Sequence, residues 1–130
     1  MNCEEKIKYL NQFSKLDAQI DALIKEKEKW YRRVLSIKKT DVDVDGSERM
    51  IKKVMSLEAE IEKSIDLIVD MRKNIVEAIE MIEDFNCQQV LYMKYIKGLT
   101  FSQIGDELLY CERQVSRLHK AAIEKIEFFD

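Results

Sequence analysis

Apolar residues recur every seven positions along two long stretches of this chain, and that spacing restricts the fold more than any other feature. The first stretch carries Leu16, Leu23, Trp30 and Ile37, and the second carries Val54, Ile61, Ile68, Ile75 and Ile82. Residues at this spacing share one face of an α-helix, whereas a strand requires alternation of apolar and polar residues. The pattern therefore predicts two long helices, at about residues 4–38 and 48–83.

A polar segment separates the two stretches. Residues 40–47, TDVDVDGS, contain Gly46 and three aspartates, none of which favours a helix. We expect a turn here, with Ser47 or Asp45 capping the second helix. Two long helices joined by a short turn pack antiparallel, so residues 1–85 are predicted to form a coiled-coil-like helical hairpin. The 130 residues include no proline and three glycines, too little turn punctuation for a strand-rich protein, and the predicted fold class is all-α.

The apolar stripe of the hairpin is broader than one partner helix can cover. Ile51 and Ile65 belong to a second column, which Glu58 and Arg72 interrupt. These two charged residues either set the register of a partner or lie at the edge of the stripe with their charged ends in solvent. Because two helices alone bury little surface, we predict that residues 1–85 form a homo-oligomer or bind another protein.

The last third of the chain has a different organisation. Capping signals predict three short helices, at about residues 87–97, 101–109 and 112–126. The signals are Asn86 with Gln89, Thr100 with Gln103, and Cys111 with Gln114, and Gly98 marks the end of the first helix.

The last two of these helices have the spacing of a helix-turn-helix, so we expect them to pack around a shared apolar core. The predicted core residues are Leu91, Tyr95, Leu99, Ile104, Leu108, Val115, Leu118, Ala122 and Ile126. Gly105 is small where the second helix of the pair must cross closely. Residues 86–130 are therefore predicted to form a separate helix-turn-helix module.

The polar face of the last helix suggests contact with DNA, because its side chains can donate to base edges and phosphates. The candidate DNA-binding residues are Gln103, Glu112, Arg113, Gln114, Ser116, Arg117, His119 and Lys120. The alternative for the basic residues among them is a solvated helix face.

The stretch YIKGLTFSQIGDELLYCERQVSRLHKAAIEKI, residues 95–126, resembles the fourth region of bacterial sigma factors, which grips the −35 promoter element. It is still more similar to phage late-transcription regulators of the RinA/ArpU type, which join such a module to a long helical N-terminal half. The resemblance covers about residues 86–126, and over residues 1–85 it is one of architecture only. It implies a phage or prophage transcription regulator in the bacterial cytoplasm, with promoter DNA and host RNA polymerase as partners.

The chain departs from the sigma-factor pattern at several positions. Leu109 stands where glycine is usual in the turn, so the resemblance implies a left-handed residue at this position. Cys111 stands where a serine or threonine cap is usual. The positions that read bases in sigma factors with Arg, Glu, Arg and Gln are here Glu112, Arg113, Ser116 and Arg117. The resemblance therefore implies a different promoter sequence.

Several classes of function are disfavoured by the sequence. A single histidine, three scattered cysteines and the absence of phosphate-binding or nucleophile motifs predict no enzyme, no metal site and no cofactor. The apolar runs are too short for a membrane span, and the polar first residues predict a cytoplasmic protein.

Two alternatives to transcription regulation remain open. Residues 86–130 carry six basic and six acidic residues, and the whole chain has a net charge of −3. This balance favours a helix-turn-helix that docks a protein, for example to inhibit a host machine. A DNA-packaging recognition subunit is the other alternative, although its DNA-binding module usually comes first.

Overall fold

The chain is helical in the computed structural model, which describes residues 1–37 and 44–128. Within these ranges it contains no strand. The helices are α1 (Cys3–Ile37), α2 (Val44–Glu80), α3 (Phe85–Leu91), α4 (Phe101–Leu108) and α5 (Glu112–Lys125), and a π-helical segment (Tyr92–Ile96) continues α3. The predicted all-α fold, with two long helices followed by shorter ones, is confirmed.

The start of α2 differs from the prediction. The helix begins at Val44, so Asp45 and Ser47 lie inside it and the predicted cap at either residue is wrong. A glycine inside a helix costs only about 1 kcal/mol, and the apolar face along the rest of α2 outweighs that penalty at Gly46. Residues 40–43 of the predicted turn lie outside the described residues.

The chain divides into two compact units. The hairpin unit is Leu16–Ile68, and the terminal unit combines Met1–Lys15 with Val69–Asp130. The terminal unit thus groups residues from both ends of the chain with the last part of α2. The predicted functional division between residues 85 and 86 stays a prediction.

The hairpin unit is formed by the second half of α1 and the first half of α2. Its buried side chains are Ile20, Val34, Val54, Leu57 and Ile61. The Lys53 ammonium lies 3.9 Å from the Glu26 carboxylate, and Trp30 lines one pocket with Arg49. Residues later in α1 thus lie beside residues earlier in α2, as antiparallel packing requires.

The terminal unit has the more extensive core. Its buried apolar residues include Leu10, Phe13, Ile75, Ile79, Leu91, Ile104, Val115 and Ile126. The apolar faces of the first turns of α1 and the last turns of α2 are therefore buried in the same unit as α3–α5. Among the described residues, no helix has the length and apolar character that a membrane span requires.

A lysine from α1 caps the C-terminal end of α5. Lys6 is 8% exposed, and its ammonium donates to the carbonyl oxygens of Ile123 at 3.2 Å and Glu124 at 3.3 Å. The last carbonyls of a helix have no partner within the helix and carry its partial negative charge, so a cation is favourable there. The Tyr9 ring packs at 4.9 Å from the Phe128 ring beside this contact.

The N-terminus of α3 is capped by a residue other than the predicted one. The Asp84 side chain accepts from the backbone N–H groups of Asn86 at 3.0 Å and Cys87 at 3.3 Å, so the predicted cap at Asn86 is wrong. The hydrogen bond from the Cys87 N–H is the main cause that lowers the pKa of the Asp84 carboxyl. The nearby Lys125 ammonium and the hydrogen bond from Asn86 lower it further. Gln88, and not Gln89, reaches back, and it donates to the carbonyls of Glu80 and Ile82.

We predict that Lys6→Met destabilises the protein by about 2 kcal/mol, because the carbonyls of Ile123 and Glu124 lose a charged donor. Urea unfolding followed by circular dichroism measures this change. Lys8→Met is the matched control, since Lys8 is exposed on the same helix. Equal effects of the two substitutions would show that the Lys6 contact does not stabilise the terminal unit.

Candidate nucleic-acid interface

A three-residue turn joins α4 to α5. Leu109 has φ 61° and ψ 40°, the left-handed conformation that the sequence predicts at this position. Its N–H and the N–H of Tyr110 both donate to the Gly105 carbonyl, the latter at 2.9 Å. The left-handed backbone of a leucine is strained. Because the Leu109 side chain is 89% exposed, burial of apolar surface does not compensate for that strain.

Gly105 is required by the same turn. A Cβ atom at this position would lie 2.6 Å from the Tyr110 carbonyl oxygen and 3.6 Å from a methyl group of Val115. The first distance is far shorter than a van der Waals contact. The predicted close approach to Gly105 is therefore present. The nearest group is the Tyr110 carbonyl of the turn, and the Val115 side chain of α5 lies further away.

The two helices of this pair begin differently. The Thr100 hydroxyl accepts from the Gln103 N–H at 3.2 Å and the Gln103 side chain accepts from the Thr100 N–H at 2.9 Å, which confirms the predicted capping box of α4. At the start of α5, Cys111 occupies the cap position without a side-chain hydrogen bond in the described structure. The first N–H groups of α5 are therefore open to an anion.

A small apolar cluster fixes α5 against its neighbours. Val90, Met93, Ile104 and Val115 are buried, and the partly buried residues around them are Leu99, Phe101, Leu108 and Leu118. The cluster contains five of the predicted core residues, namely Leu99, Ile104, Leu108, Val115 and Leu118. It leaves the opposite face of α5 to solvent.

That opposite face carries five of the predicted candidates. Glu112, Arg113, Ser116, Arg117 and Lys120 are all exposed. Their spacing of three and four residues places them along one side of the helix. Within residues 1–37 and 44–128, no carboxylate lies within ion-pair distance of Arg113, Arg117 or Lys120.

Two other candidates lie at the margins of this face. Gln103 is exposed, but its side-chain oxygen accepts the hydrogen bond from the Thr100 N–H in the capping box of α4. Gln114 is half-buried. Neither side chain is as free to reach a ligand as the basic residues of α5.

His119 belongs to the interior side of α5 more than to its exposed face. The imidazole is half-buried, its Nε2 lies 2.7 Å from the Tyr95 hydroxyl oxygen, and it packs against the Phe101 ring at 5.1 Å. Burial, and to a lesser degree the Lys94 ammonium, lowers the pKa of His119, and burial raises the pKa of Tyr95 to about 12. Sequence reasoning missed this pair, because 24 residues separate its members and no local pattern links them.

The acid and thiol side chains form no metal centre in the part of the chain that the structure describes. No group of three or more histidine, cysteine, aspartate or glutamate side chains is arranged to hold an ion there. Cys87 is buried, and burial raises the pKa of its thiol, while Cys3 and Cys111 are exposed.

We predict opposite effects of substitutions at Leu109 in the turn and at Gly105 in α4. Leu109→Gly should leave the stability unchanged or raise it by up to about 1 kcal/mol, because glycine adopts the left-handed conformation without strain. Gly105→Ala should cost about 1–3 kcal/mol, because the added methyl displaces the Tyr110 carbonyl. Thermal unfolding of both variants measures the difference, and a destabilising Leu109→Gly would contradict the assignment of strain.

We also predict that the stability falls as the pH drops below about 6.5, the ordinary pKa of histidine. The pKa of His119 is lower in the folded state than in the unfolded state. The unfolded state therefore takes up the proton first as the pH falls, and this uptake lowers the free energy of unfolding. Chemical unfolding between about pH 7 and 5.5 measures this slope, above the range in which most carboxylates titrate. Since His119 is the only histidine, His119→Gln should flatten the slope, and an unchanged slope would contradict its assignment to this residue.

Comparison with known sequences places the chain in a family. The sequence model of a family described as a protein of unknown function, DUF1492, matches residues 33–127. The match includes the end of α1, all of α2 and every later helix. No curated protein and no solved structure matches the chain significantly. Because the matched residues make up well over half of the chain, this protein belongs to the DUF1492 family.

Proposed function

We propose that the protein is a sequence-specific DNA-binding transcription regulator of phage or prophage origin, acting at promoters with host RNA polymerase. The observation that carries the proposal is the exposed face of α5, where Arg113, Arg117 and Lys120 have no acidic partner within the described residues. The resemblance of residues 95–126 to the fourth region of sigma factors and to phage late regulators supports the same function.

The backbone around α5 suits insertion into the major groove. An α-helix fits that groove, and in a helix-turn-helix the N-terminal residues of the second helix contact the base edges. The left-handed turn at Leu109 and the close packing at Gly105 fix α5 relative to α4. The open N–H groups at the start of α5 add favourable sites for a phosphate oxygen.

The balanced charge of residues 86–130 does not exclude this function, because net charge is a poor guide to the charge of one face. The acidic residues Asp106 and Glu107 lie on α4, and Glu124 lies near the C-terminal end of α5. Arg113 and Arg117 lie in the first half of α5, which is the half that reads bases in a helix-turn-helix.

Arg117 and Lys120 are proposed to have different roles. The planar guanidinium of Arg117 matches the two acceptor atoms of a guanine edge. Lys120 lies one turn further along the helix, where a flexible point charge suits the phosphate backbone.

We therefore predict that Arg117→Ala costs about 1–3 kcal/mol at the best site and relaxes the preference at one base pair. Lys120→Ala should weaken binding to all duplexes alike and lower the salt slope by about one. The measurement is a binding titration at two salt concentrations, with a duplex selected from a random library by the wild-type protein and a scrambled duplex.

Lys63→Ala is the control for this experiment, because Lys63 is an exposed base in the hairpin unit. If the wild-type protein bound no duplex even at low salt, the DNA-binding assignment would be wrong. The exposed face of α5 would then be the candidate surface for docking a protein, as the balanced charge of this region allows.

A second copy of the chain is proposed as a further partner, through residues 1–85. In the hairpin unit, large apolar side chains remain exposed, namely Tyr31, Leu35, Ile51, Met55, Ile65 and Leu67. A two-fold dimer would read two half-sites and so compensate for the weak binding of a single module.

We predict that sedimentation at tens of micromolar shows a species larger than the 15.4 kDa monomer. Ile51→Glu combined with Ile65→Glu should shift this species to the monomer, because the exposed column would carry two further charges. Lys52→Glu is the matched control, since it changes charge without changing an apolar residue. A wild-type monomer at this concentration would exclude the homo-oligomer.

A further inference from the structure

A patch of cations surrounds the single tryptophan of the chain, in the hairpin unit. Trp30 is half-buried, and the Arg33 guanidinium lies 4.7 Å from the centre of its ring. Trp30, Arg49 and Lys53 also line a shallow pocket of about 360 Å³, together with Gly46 and Met50. We call the surface formed by Trp30, Arg33, Arg49 and Lys53 the tryptophan patch.

The charge around this patch is opposite in sign to that of the chain as a whole. Within the described residues 25–37 and 44–53 there are eight lysines and arginines against four aspartates and glutamates, although the complete chain has a net charge of −3. By contrast, residues 54–83 contain three basic and eight acidic residues. The positive charge is therefore concentrated at one end of the hairpin unit.

Among the described residues, Lys53 is the member of the tryptophan patch that has an ion-pair partner. Lys53 pairs with Glu26 at 3.9 Å, but both side chains are about half exposed, so the pair is weak and easily exchanged. Arg33 and Arg49 are exposed and have no acidic partner within ion-pair distance in the described part of the chain. These cations are available to a polyanion.

We propose that the tryptophan patch binds an unpaired nucleic-acid strand, with a base against the Trp30 ring and phosphates on Arg33, Arg49 and Lys53. An aromatic ring beside basic side chains is the common arrangement for binding single strands, since every base has a stacking face and every nucleotide a phosphate. The bases of a duplex are stacked on one another, so they cannot reach the ring.

An acidic peptide would be attracted by the same cations but fits the patch less well. The apolar surface here is one flat indole that carries a guanidinium, together with the small contribution of Met50. This surface suits the stacking of a planar group and lacks the row of pockets that anchors the side chains of a bound helix.

The tryptophan patch shares no residue with the exposed face of α5. The proposal therefore does not depend on the proposed function, and the two fail separately. A variant with Arg113→Ala, Arg117→Ala and Lys120→Ala should lose duplex binding and keep the binding of a single strand.

Fluorescence of Trp30 reports directly on the site, because the chain has no other tryptophan. The full-length protein is titrated with an oligothymidylate of about twelve nucleotides, within the usual range of site sizes, and excited where tyrosine does not absorb. We expect quenching that saturates. For three phosphate contacts, the logarithm of the binding constant should fall with the logarithm of the salt concentration with a slope of about −2.

Arg49→Gln combined with Lys53→Gln should raise the dissociation constant at least about tenfold and reduce the salt slope to about −0.7, the value for one remaining contact. The matched control is Lys63→Gln combined with Lys73→Gln, which removes two exposed bases elsewhere on α2. Circular dichroism of both variants verifies that the helices are retained.

An oligouridylate of the same length distinguishes RNA from single-stranded DNA as the source of the strand, and quenching by either supports the proposal. The absence of quenching by both strands would overturn it. Equal affinity for polyglutamate at the same charge concentration would overturn it in favour of an acidic protein. Equal effects of the two double substitutions would overturn the assignment to this patch.

Discussion

A buried ammonium group holds the two ends of the chain together in the terminal unit. Lys6 donates to the carbonyls of Ile123 and Glu124, which the geometry of a helix leaves without partners. A polar group at this depth is stable only when it is hydrogen-bonded, so the position of Lys6 and the end point of α5 determine each other. The exposed face of α5 therefore depends on the first turns of α1.

Backbone constraints orient the other end of α5. The left-handed conformation of Leu109 and the close approach of Gly105 to the Tyr110 carbonyl define the turn. The basic side chains of the exposed face are consequently held on a rigid helix, which lowers the entropic cost of presenting them to a partner. The strain at Leu109 is the local cost of this arrangement.

Sequence reasoning predicted what short-range physics controls. The Thr100–Gln103 capping box and the two long helices are decided by neighbours in the chain, and the structure contains both. The left-handed Leu109, which the structure also contains, was implied by the family resemblance. The predicted cap of α3 is wrong because Asp84 and Asn86 are both good capping residues, and the residue types alone do not decide between them.

Residues that act over long distances in sequence could not be found in this way. Lys6 resembles any other lysine on a predicted helix, and the Tyr95–His119 pair joins two separate helices. Among the candidate residues, the basic side chains of α5 are exposed, whereas His119 is half-buried. The apolar periodicity alone cannot make that distinction, because it does not give the angle at which neighbouring helices cross.

The contact between Lys6 and Ile123 also has a consequence for the order of folding. The two residues are separated by 117 positions in the chain, so the terminal unit cannot be completed until the segment up to Ile123 has been synthesised. The hairpin unit is continuous in sequence and can form first by local pairing of its two helices. Once formed, it shortens the effective loop between the chain ends and reduces the entropy lost when they meet.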